Sequence, residues 1–188
     1  MKRFIATALL AGFSSTVFAA PVVYNLDPSH TYPSFELSHM GFSIQNGRFD
    51  KSSGTITLDA EKKTGAVDIS IDTRSLNSGW EKRDAHVKGP DFFNSEKFPA
   101  MTFKSNKLVF EGEKLVAVDG NFTLLGVTKP LTLAVSNFKC AMHPMMKKQA
   151  CGANATATIK RSEFGMNTYV PNIGDDVKLS IAVEAIAQ

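Results

Sequence analysis

Apolar and polar side chains alternate along most of the chain, and this repeat of two residues most constrains its fold. Val67, Ile69 and Ile71 are separated by Asp68 and Ser70. Neighbouring residues of a strand point to opposite faces, so this alternation predicts strands with one buried face. The same alternation recurs at 35–37, 56–58, 101–103, 131–135, 155–159 and 177–183. The sequence therefore predicts an all-β protein of about eight strands.

Short turn-forming segments separate the predicted strands, at 46–47, 63–65, 111–112, 126–130 and 172–175. They favour antiparallel neighbours. Asp119-Gly120 would make a further turn, but we interpret residues 115–125 as one strand with a kink at the glycine. An antiparallel sheet of this size packs as two sheets or closes on itself, and closure removes exposed edges. A barrel of about eight strands has room for one small ligand.

The alternation breaks between residues 75 and 98. A short helix is predicted over residues 80–87, capped by Asn77 or Ser78 and ended by the Gly-Pro pair at 89–90. A loop rich in phenylalanine follows. This segment is the one predicted departure from the β pattern.

The N-terminus has the parts of a secretory signal peptide. A basic start at residues 2–3 precedes an apolar stretch at 4–13, and Val17 and Ala19 are the small residues before a cleavage site. We predict cleavage after Ala19, one domain over residues 20–188, and a periplasmic location. No apolar run reaches the roughly 18 to 20 residues that span a bilayer, so stable membrane insertion is not expected.

The charge of the chain argues against one class of partner. Two of the 21 Lys and Arg residues lie in the predicted signal peptide. The other Lys and Arg residues outnumber the 18 Asp and Glu residues by one. Positive and negative residues are interleaved, without the basic stripe that neutralises phosphates. Nucleic acid is therefore not an expected partner.

Cys140 and Cys151 are the two cysteines of the chain. In an oxidising compartment such a pair usually forms a disulfide, which would close a loop of about 12 residues and contribute roughly 3 kcal/mol. An alternative stays open, because the segment between them holds further soft ligands, namely Met142, His143, Met145 and Met146. Thiolate, thioether and imidazole are the ligands that select Cu(I). A copper-binding or redox-active loop, with the barrel as scaffold, is the alternative function.

Asp27, Ser29 and His30 are the residue types of a hydrolase relay. Residues this close on an extended segment alternate in direction and rarely form such a relay. The chain also has no Gly-x-Ser-x-Gly turn for a nucleophile. We therefore expect a structural role for these residues and no enzymatic activity.

Short motifs recur in a characteristic order along the chain. They are Tyr24 to His30, Phe35 with His39, Gly47 with Phe49, Ile71-Asp72, Ser75-Leu76, Arg83-Asp84, Phe92-Phe93, Phe98-Pro99 with Phe103, Leu125 to Pro130, and Arg161 to Met166. Their order and spacing resemble the YceI-like family of secreted, lipocalin-like polyisoprenoid-binding proteins. The resemblance implies an extended eight-stranded antiparallel barrel with a short helix near one end, enclosing an apolar tunnel.

The resemblance also implies a function. The family binds amphiphilic lipids such as a polyprenyl pyrophosphate, a quinone or a fatty amide, without catalysis, and no cofactor is expected. The candidate tunnel residues are Phe35, Phe49, Phe92, Phe93, Phe98, Met101, Phe103, Phe164 and Met166. Arg83 and Arg161 are the candidates for the headgroup, because a guanidinium binds phosphate oxygens in a fork. Pairing with Asp84 or Glu81 and with Glu163 is the alternative for these arginines, and a homodimer is left open.

Overall fold

The computed structural model describes residues 20–188, and the predicted signal peptide at 1–19 lies outside them. The described chain is built almost entirely from strands. They are β1 (Val22–Leu26), β2 (Tyr32–His39), β3 (Ser43–Phe49), β4 (Ser52–Asp59), β5 (Thr64–Asp72), β6 (Leu76–Asn77), β7 (Ala100–Glu111), β8 (Lys114–Leu124), β9 (Val127–Met142), β10 (Gln149–Lys160) and β11 (Asp176–Ala187). The helix α1 spans Glu81–Lys88, and 3-10 turns lie at Thr73–Ser75 and Arg161–Phe164.

Eight strands close into an antiparallel barrel. Their order is β1, β4, β5, β7, β8, β9, β10 and β11, and β1 pairs again with β11. At one end the wall continues from β11 through β2, β3 and β6. β11 pairs with β2 over residues 178–182 and with β1 over 185–187, so it has two successive partners on one edge. The predicted extended eight-stranded barrel is confirmed.

The alternation assigns side chains to the two faces of the wall. Val67, Ile69 and Ile71 of β5 face the interior, where they pack against the main apolar cluster. Between them Asp68 points outward and forms an ion pair with Lys104 of β7 at 2.9 Å. Each strand therefore contributes one apolar row to the interior, as the two-residue repeat predicts.

Two glycines within strands are explained by phenylalanine rings on the neighbouring strand. A methyl group at Gly120 would lie 2.6 Å from Cζ of Phe103, and one at Gly47 would lie 2.7 Å from Cζ of Phe35. Any larger residue would displace these rings. The prediction that β8 runs through Gly120 as one strand is confirmed.

The helix forms where it was predicted, but its predicted cap is wrong. The residue before the first turn of α1 is Trp80, which makes no capping hydrogen bond with its side chain. Ser78 donates its backbone N–H to Oδ1 of Asp84 at 2.9 Å, and its hydroxyl donates to the same oxygen. Gly79 adopts a φ of +80° and separates Ser78 from the helix, so an acid inside the helix reaches back to the serine. Within residues 20–188 no helix is long and apolar enough to cross a membrane.

Candidate ligand-binding cavity

A cavity of about 830 Å³ occupies the interior of the barrel. Cavities that hold small ligands usually measure about 300 to 1,000 Å³. Its wall consists mostly of the apolar rows of the strands, together with the cations Lys82, Arg83 and Arg161. Among the residues that the structure describes, no Asp or Glu lines it. The cavity is therefore suited to a long apolar group with a neutral or negative end.

Most of the predicted tunnel residues line this cavity. They are Phe35, Phe49, Phe92, Phe93, Met101, Phe103 and Met166. The cavity lining does not include Phe98 or Phe164. Phe164 is buried, with its ring 5.6 Å from that of Phe122. Phe98 is half-buried and packs against Gly126 in the turn between β8 and β9. Neither ring therefore contributes to the surface of the cavity.

Most of the remaining cavity lining is aliphatic, and the predicted tunnel residues did not include it. They include Leu131, Leu133 and Val135 of β9, and Val177, Leu179, Ile181 and Val183 of β11. The signal for them was present, because the alternation that predicts these strands also identifies their inward faces. Alternation does not distinguish a filled interior from a hollow one.

Three aromatic rings pack together at one end of the cavity. The Phe49 and Phe93 rings meet edge to face at 5.3 Å, and Phe35 lies 5.8 Å from Phe49. Phe93 is held close to α1, since its N–H donates to the carbonyl of Val87 at 3.0 Å. Such pairs contribute about 0.5 to 1.5 kcal/mol beyond their burial. This cluster gives the helix end of the cavity a rigid wall.

Lining side chains that are also exposed mark the place where the cavity opens. They are His39, Met40, Asn46, Trp80, Lys82, His86 and Tyr169. They come from three segments: the β2–β3 hairpin, α1 with the residue before it, and the loop 167–173. We call these three segments the mouth.

The three segments of the mouth contact one another in turn. The contacts are Nη1 of Arg83 to Oε1 of Gln45 at 2.7 Å, the ring of Phe92 just after α1 to the ring of Tyr169 at 6.2 Å, and the N–H of Met40 to the carbonyl of Asn172 at 2.6 Å. They connect α1 to the hairpin and the hairpin to the loop, and they connect α1 to the loop through Phe92, whose ring lies 5.3 Å from that of His86 in α1. The mouth is therefore a closed ring around the opening.

Arg161 holds the loop of the mouth from inside the protein. Its side chain is 2% exposed, and its guanidinium donates to four backbone carbonyls at 2.8 to 2.9 Å. The acceptors belong to Met166, Thr168, Ile173 and Gly174. Burial lowers the pKa of this arginine. Most of its donors are used in this way, so its geometry is that of a clamp.

Arg83 has a different environment. It donates from Nε to the hydroxyl of Ser78 at 2.8 Å and from Nη2 to the carbonyl of Ser78 at 2.5 Å. With Gln45 as its third acceptor, its partners are all neutral. Neither Asp84 nor Glu81 forms an ion pair with it in the described chain. Arg83 therefore lies at the mouth with a positive charge that no carboxylate contacts directly.

The opposite end of the barrel is sealed. Cys140 and Cys151 face each other on β9 and β10 and form the predicted disulfide, with an S–S distance of 2.01 Å. Cys151 packs with Tyr24, Leu58 and Ala185 in a small buried cluster. The lining residues at this end are buried or half-buried. The cavity therefore opens at the mouth and not past the disulfide.

The hairpin beyond the disulfide carries the candidate copper ligands. Met142, Met145 and Met146 are exposed, and Nδ1 of His143 accepts the backbone N–H groups of Met145 and Met146 at 3.3 and 3.1 Å. Cys140 and Cys151 are joined to each other, so neither supplies a thiolate in this form. The loop lacks the two strongest of the ligands on which a copper or redox function would depend.

Asp27, Ser29 and His30 come together, contrary to the expectation from an extended segment, because residues 27–30 form a turn. Nδ1 of His30 lies 2.7 Å from Oδ2 of Asp27 and 3.1 Å from the Ser29 hydroxyl, which itself donates to Asp27 at 2.6 Å. Both neighbours contact the same ring nitrogen, whereas a relay needs one on each nitrogen. Hydrogen bonds from His30 and Ser29 lower the pKa of Asp27 to about 2. The arrangement is a hydrogen-bonded turn.

The fold and the cavity together define a class of protein. It consists of closed antiparallel barrels whose hollow interior receives an apolar ligand through one end.

A particular family within this class matches the chain. The model of the YceI-like domain matches residues 24–185, and the chain belongs to this family. A UPF0312 protein of Shewanella sp. (strain MR-7) is 32% identical over 190 residues, with 99% of each chain covered. The resemblance inferred from the motifs is confirmed.

Solved structures show the same fold. BcnA of Burkholderia cenocepacia is similar with a TM-score of 0.73 and 23% identity, over 85% of this chain and 99% of that one. A polyisoprenoid binding domain from Saccharophagus degradans is similar with a TM-score of 0.68 and 19% identity, over 89% of this chain and 99% of that one. At these identities the likeness concerns the fold.

Proposed function

We propose that this protein is a non-catalytic periplasmic carrier of an amphiphilic isoprenoid or similar long-chain lipid. The tail lies in the cavity and the polar head lies at the mouth. The observation that carries the proposal is the apolar cavity of about 830 Å³ that opens within a ring of polar and aromatic residues. A polyprenyl pyrophosphate, a quinone and a fatty amide all have this division into tail and head. The similar domain from Saccharophagus degradans is a polyisoprenoid binding domain, which supports the same class of ligand.

The energetics favour a long tail. Each buried CH₂ group contributes about 0.8 kcal/mol, so an isoprene unit of five carbons contributes about 4 kcal/mol. Association costs about 4 to 15 kcal/mol in lost freedom of motion. One unit would barely offset this cost, whereas several units exceed it. A chain of several isoprene units is therefore a better ligand for this wall than a small metabolite.

The two predicted headgroup residues have separate roles in this proposal. Arg83 contacts the headgroup, because it lines the mouth and has no carboxylate partner. Lys82 lies beside it and also lines the mouth. Arg161 is a positioning residue that keeps the loop 167–173 in place. A phosphate, a quinone oxygen or an amide carbonyl would each accept a hydrogen bond from Arg83.

Two observations support a carrier rather than an enzyme, and the periplasm as its location. The Asp27, Ser29 and His30 cluster has both neighbours on one ring nitrogen and is turned to solvent rather than to the cavity. The Cys140–Cys151 disulfide is the form expected in an oxidising compartment.

Lipid extraction tests the proposal. Protein purified from the periplasm without detergent would be extracted with organic solvent, and the extract and the intact protein would be analysed by mass spectrometry. We expect one class of long-chain lipid close to one molecule per chain, together with the intact disulfide. An empty cavity together with copper bound by reduced Cys140 and Cys151 would overturn the proposal and favour the alternative function.

Two neighbouring residues of β9 supply a matched pair of variants. Leu133 lines the cavity, whereas Thr132 is exposed on the outer face and its hydroxyl donates to Asp119 at 2.7 Å. Leu133→Arg should abolish lipid retention, while Thr132→Arg should leave it unchanged. Leu133→Trp narrows the cavity without burying a charge, so a loss of the longest bound tails keeps the test decisive if Leu133→Arg does not fold. Bound lipid of the same amount and the same tail length in Leu133→Trp and wild type would exclude the cavity as the binding site.

A further inference from the structure

We propose that the mouth docks onto the surface of an anionic phospholipid bilayer, so that the lipid tail passes between bilayer and cavity without crossing water. This inference rests on the proposed function, because it names the surface from which the cavity is filled. It describes reversible contact by side chains at one end of the barrel.

Large apolar side chains are exposed around the opening. Phe42 is 88% exposed in the turn of the β2–β3 hairpin, and Ile44 on the same hairpin is 60% exposed. Met40, Trp80 and Tyr169 are each more than half exposed, and these three also line the cavity. Exposed apolar groups that cluster in this way mark an interaction surface. Here the surface surrounds the opening through which the ligand passes.

The chemistry of the ring favours a bilayer over another protein. Trp80 and Tyr169 have an apolar body and a polar end, as do the aromatic residues that collect at membrane surfaces. Lys82 and Arg83 lie among them, and the described lining of the cavity includes no carboxylate. Cations next to exposed apolar groups are attracted to anionic phospholipid surfaces.

The backbone of the mouth gives an independent observation. Met40 and Tyr169 adopt positive φ angles of 53° and 62°, in the left-handed region that bulky residues rarely occupy. The hydrogen bond from Met40 to Asn172, and the hydrogen bonds from the Arg161 guanidinium to the carbonyls of the loop, maintain these conformations. Strained backbone that the surroundings maintain is typical of functional sites. Both residues direct exposed apolar side chains at the opening.

Trp80 is a built-in reporter, because it is the single tryptophan of the chain. The mature chain would be mixed with vesicles of phosphatidylethanolamine and phosphatidylglycerol, or of phosphatidylcholine alone. We expect a blue shift of the Trp80 emission and co-flotation with the anionic vesicles, and much weaker effects with phosphatidylcholine. Unchanged emission and no flotation with the anionic vesicles would overturn the inference.

Matched variants locate the docking surface. Phe42→Ser should weaken binding to the anionic vesicles by about tenfold or more, because it removes a large apolar group from the contact. Met145→Ser is the control, since Met145 is 83% exposed at the opposite end of the barrel. Lys82→Gln should weaken binding to anionic vesicles by about fivefold and leave the weak binding to phosphatidylcholine unchanged. Equal losses in Phe42→Ser and Met145→Ser would contradict the assigned surface.

Failure of this inference can be separated from failure of the proposed function. Leu133→Trp, with its cavity narrowed, should still float with anionic vesicles. Wild-type protein that carries lipid but never binds vesicles would overturn docking alone, whereas protein that binds vesicles but never carries lipid would overturn the proposed function. A blue shift that depends on protein concentration without vesicles would show that a second copy covers the mouth, and would overturn the bilayer as its partner.

Discussion

The two ends of the barrel are held by different kinds of interaction. At the sealed end, a disulfide joins directly opposed residues of β9 and β10, and β1 pairs with both β4 and β11. At the mouth, three segments meet through a few isolated hydrogen bonds and ring contacts, and Arg161 binds the carbonyls of the loop. One end is closed by a covalent bond and regular strand pairing, whereas the other is held by side-chain contacts and a few isolated backbone hydrogen bonds.

This difference fits the proposed carrier function. A hydrogen bond contributes only about 0.5 to 1.5 kcal/mol net, so the contacts of the mouth can separate one at a time. A disulfide does not open in this way without a reductant. Under the proposed function, a ligand would enter and leave at the end where the contacts are individually weak, while the sealed end would keep the barrel closed. Substitutions at four places in the molecule test this division.

The largest effect is expected from removal of the clamp. Arg161→Ala leaves four carbonyls without their donors in a buried setting, and should lower the free energy of unfolding by about 4 kcal/mol. Arg161→Lys keeps the charge but loses the planar fork, so its loss should be intermediate. Urea unfolding measures both, and lipid release should become faster in the same order. Wild-type stability in both variants would show that Arg161 does not hold the mouth.

Removal of the disulfide is expected to have the next largest effect. The cysteines are separated by 11 residues. Cys140→Ala combined with Cys151→Ala should therefore lower the free energy of unfolding by about 3 kcal/mol, because the unfolded chain regains the freedom of this loop. Lipid content at room temperature should not change, since the lining stays in place. Reductant should lower the stability of wild type and leave the variant unaffected; a loss of lipid would contradict a purely structural role.

A smaller effect is expected from a methyl group at Gly47. Gly47→Ala must displace the Phe35 ring, and overpacking of this kind costs about 1 to 3 kcal/mol. The displaced ring should also reduce the length of tail that the cavity accepts, as measured by mass spectrometry of the bound lipid. Gly152→Ala at the sealed end is the control, because its new methyl group would lie 3.5 Å from its nearest neighbours. If Gly47→Ala binds a tail of the same length as wild type, Phe35 does not contact the bound tail.

The smallest effect is expected in the wall between the two ends, at Asp27 and His30. The folded protein lowers the pKa of Asp27 from 3.8 to about 2, so the stability it contributes is present above pH 3.8 and is lost as the pH falls through about 2. The hydrogen bond to Asp27 raises the pKa of His30, so the stability from its protonated form is lost as the pH rises through that raised value. The free energy of unfolding, measured at a series of pH values from about 2 to the raised pKa of His30, should depend on pH differently in wild type and Asp27→Asn. The lipid content of the two proteins should be the same. Identical curves would contradict the pKa of Asp27.

The sequence was most informative where its signal was periodic. The alternating rows at 67–71, 131–135 and 177–183 predicted strands, and the same rows line the cavity. The close spacing of the two cysteines and the predicted oxidising compartment favoured the disulfide, and the structure places the two residues directly opposite each other on β9 and β10.

Residues in turns could not be placed in the same way. Phe98 and Phe164 were selected as aromatic residues in motifs, yet they lie in segments without a repeat that fixes their direction. The role of Arg161 as a clamp depends on carbonyls up to 13 residues away, whose positions follow only from the folded loop. The cap of α1 and the cluster at Asp27 were missed for the same reason, since single turns decide which side chains meet.

The position of β11 also determines when this barrel can form during synthesis. β11 pairs with β10, with β2 and with β1, and the side chain of Gln188 bonds to Asn25 across a separation of 163 residues. A chain that emerges from its N-terminus first can pair β1 with β4 and β2 with β3, but the second edge of each strand has no partner until β11 appears. Contacts of such long range slow folding. The barrel therefore cannot close until β11 has been made.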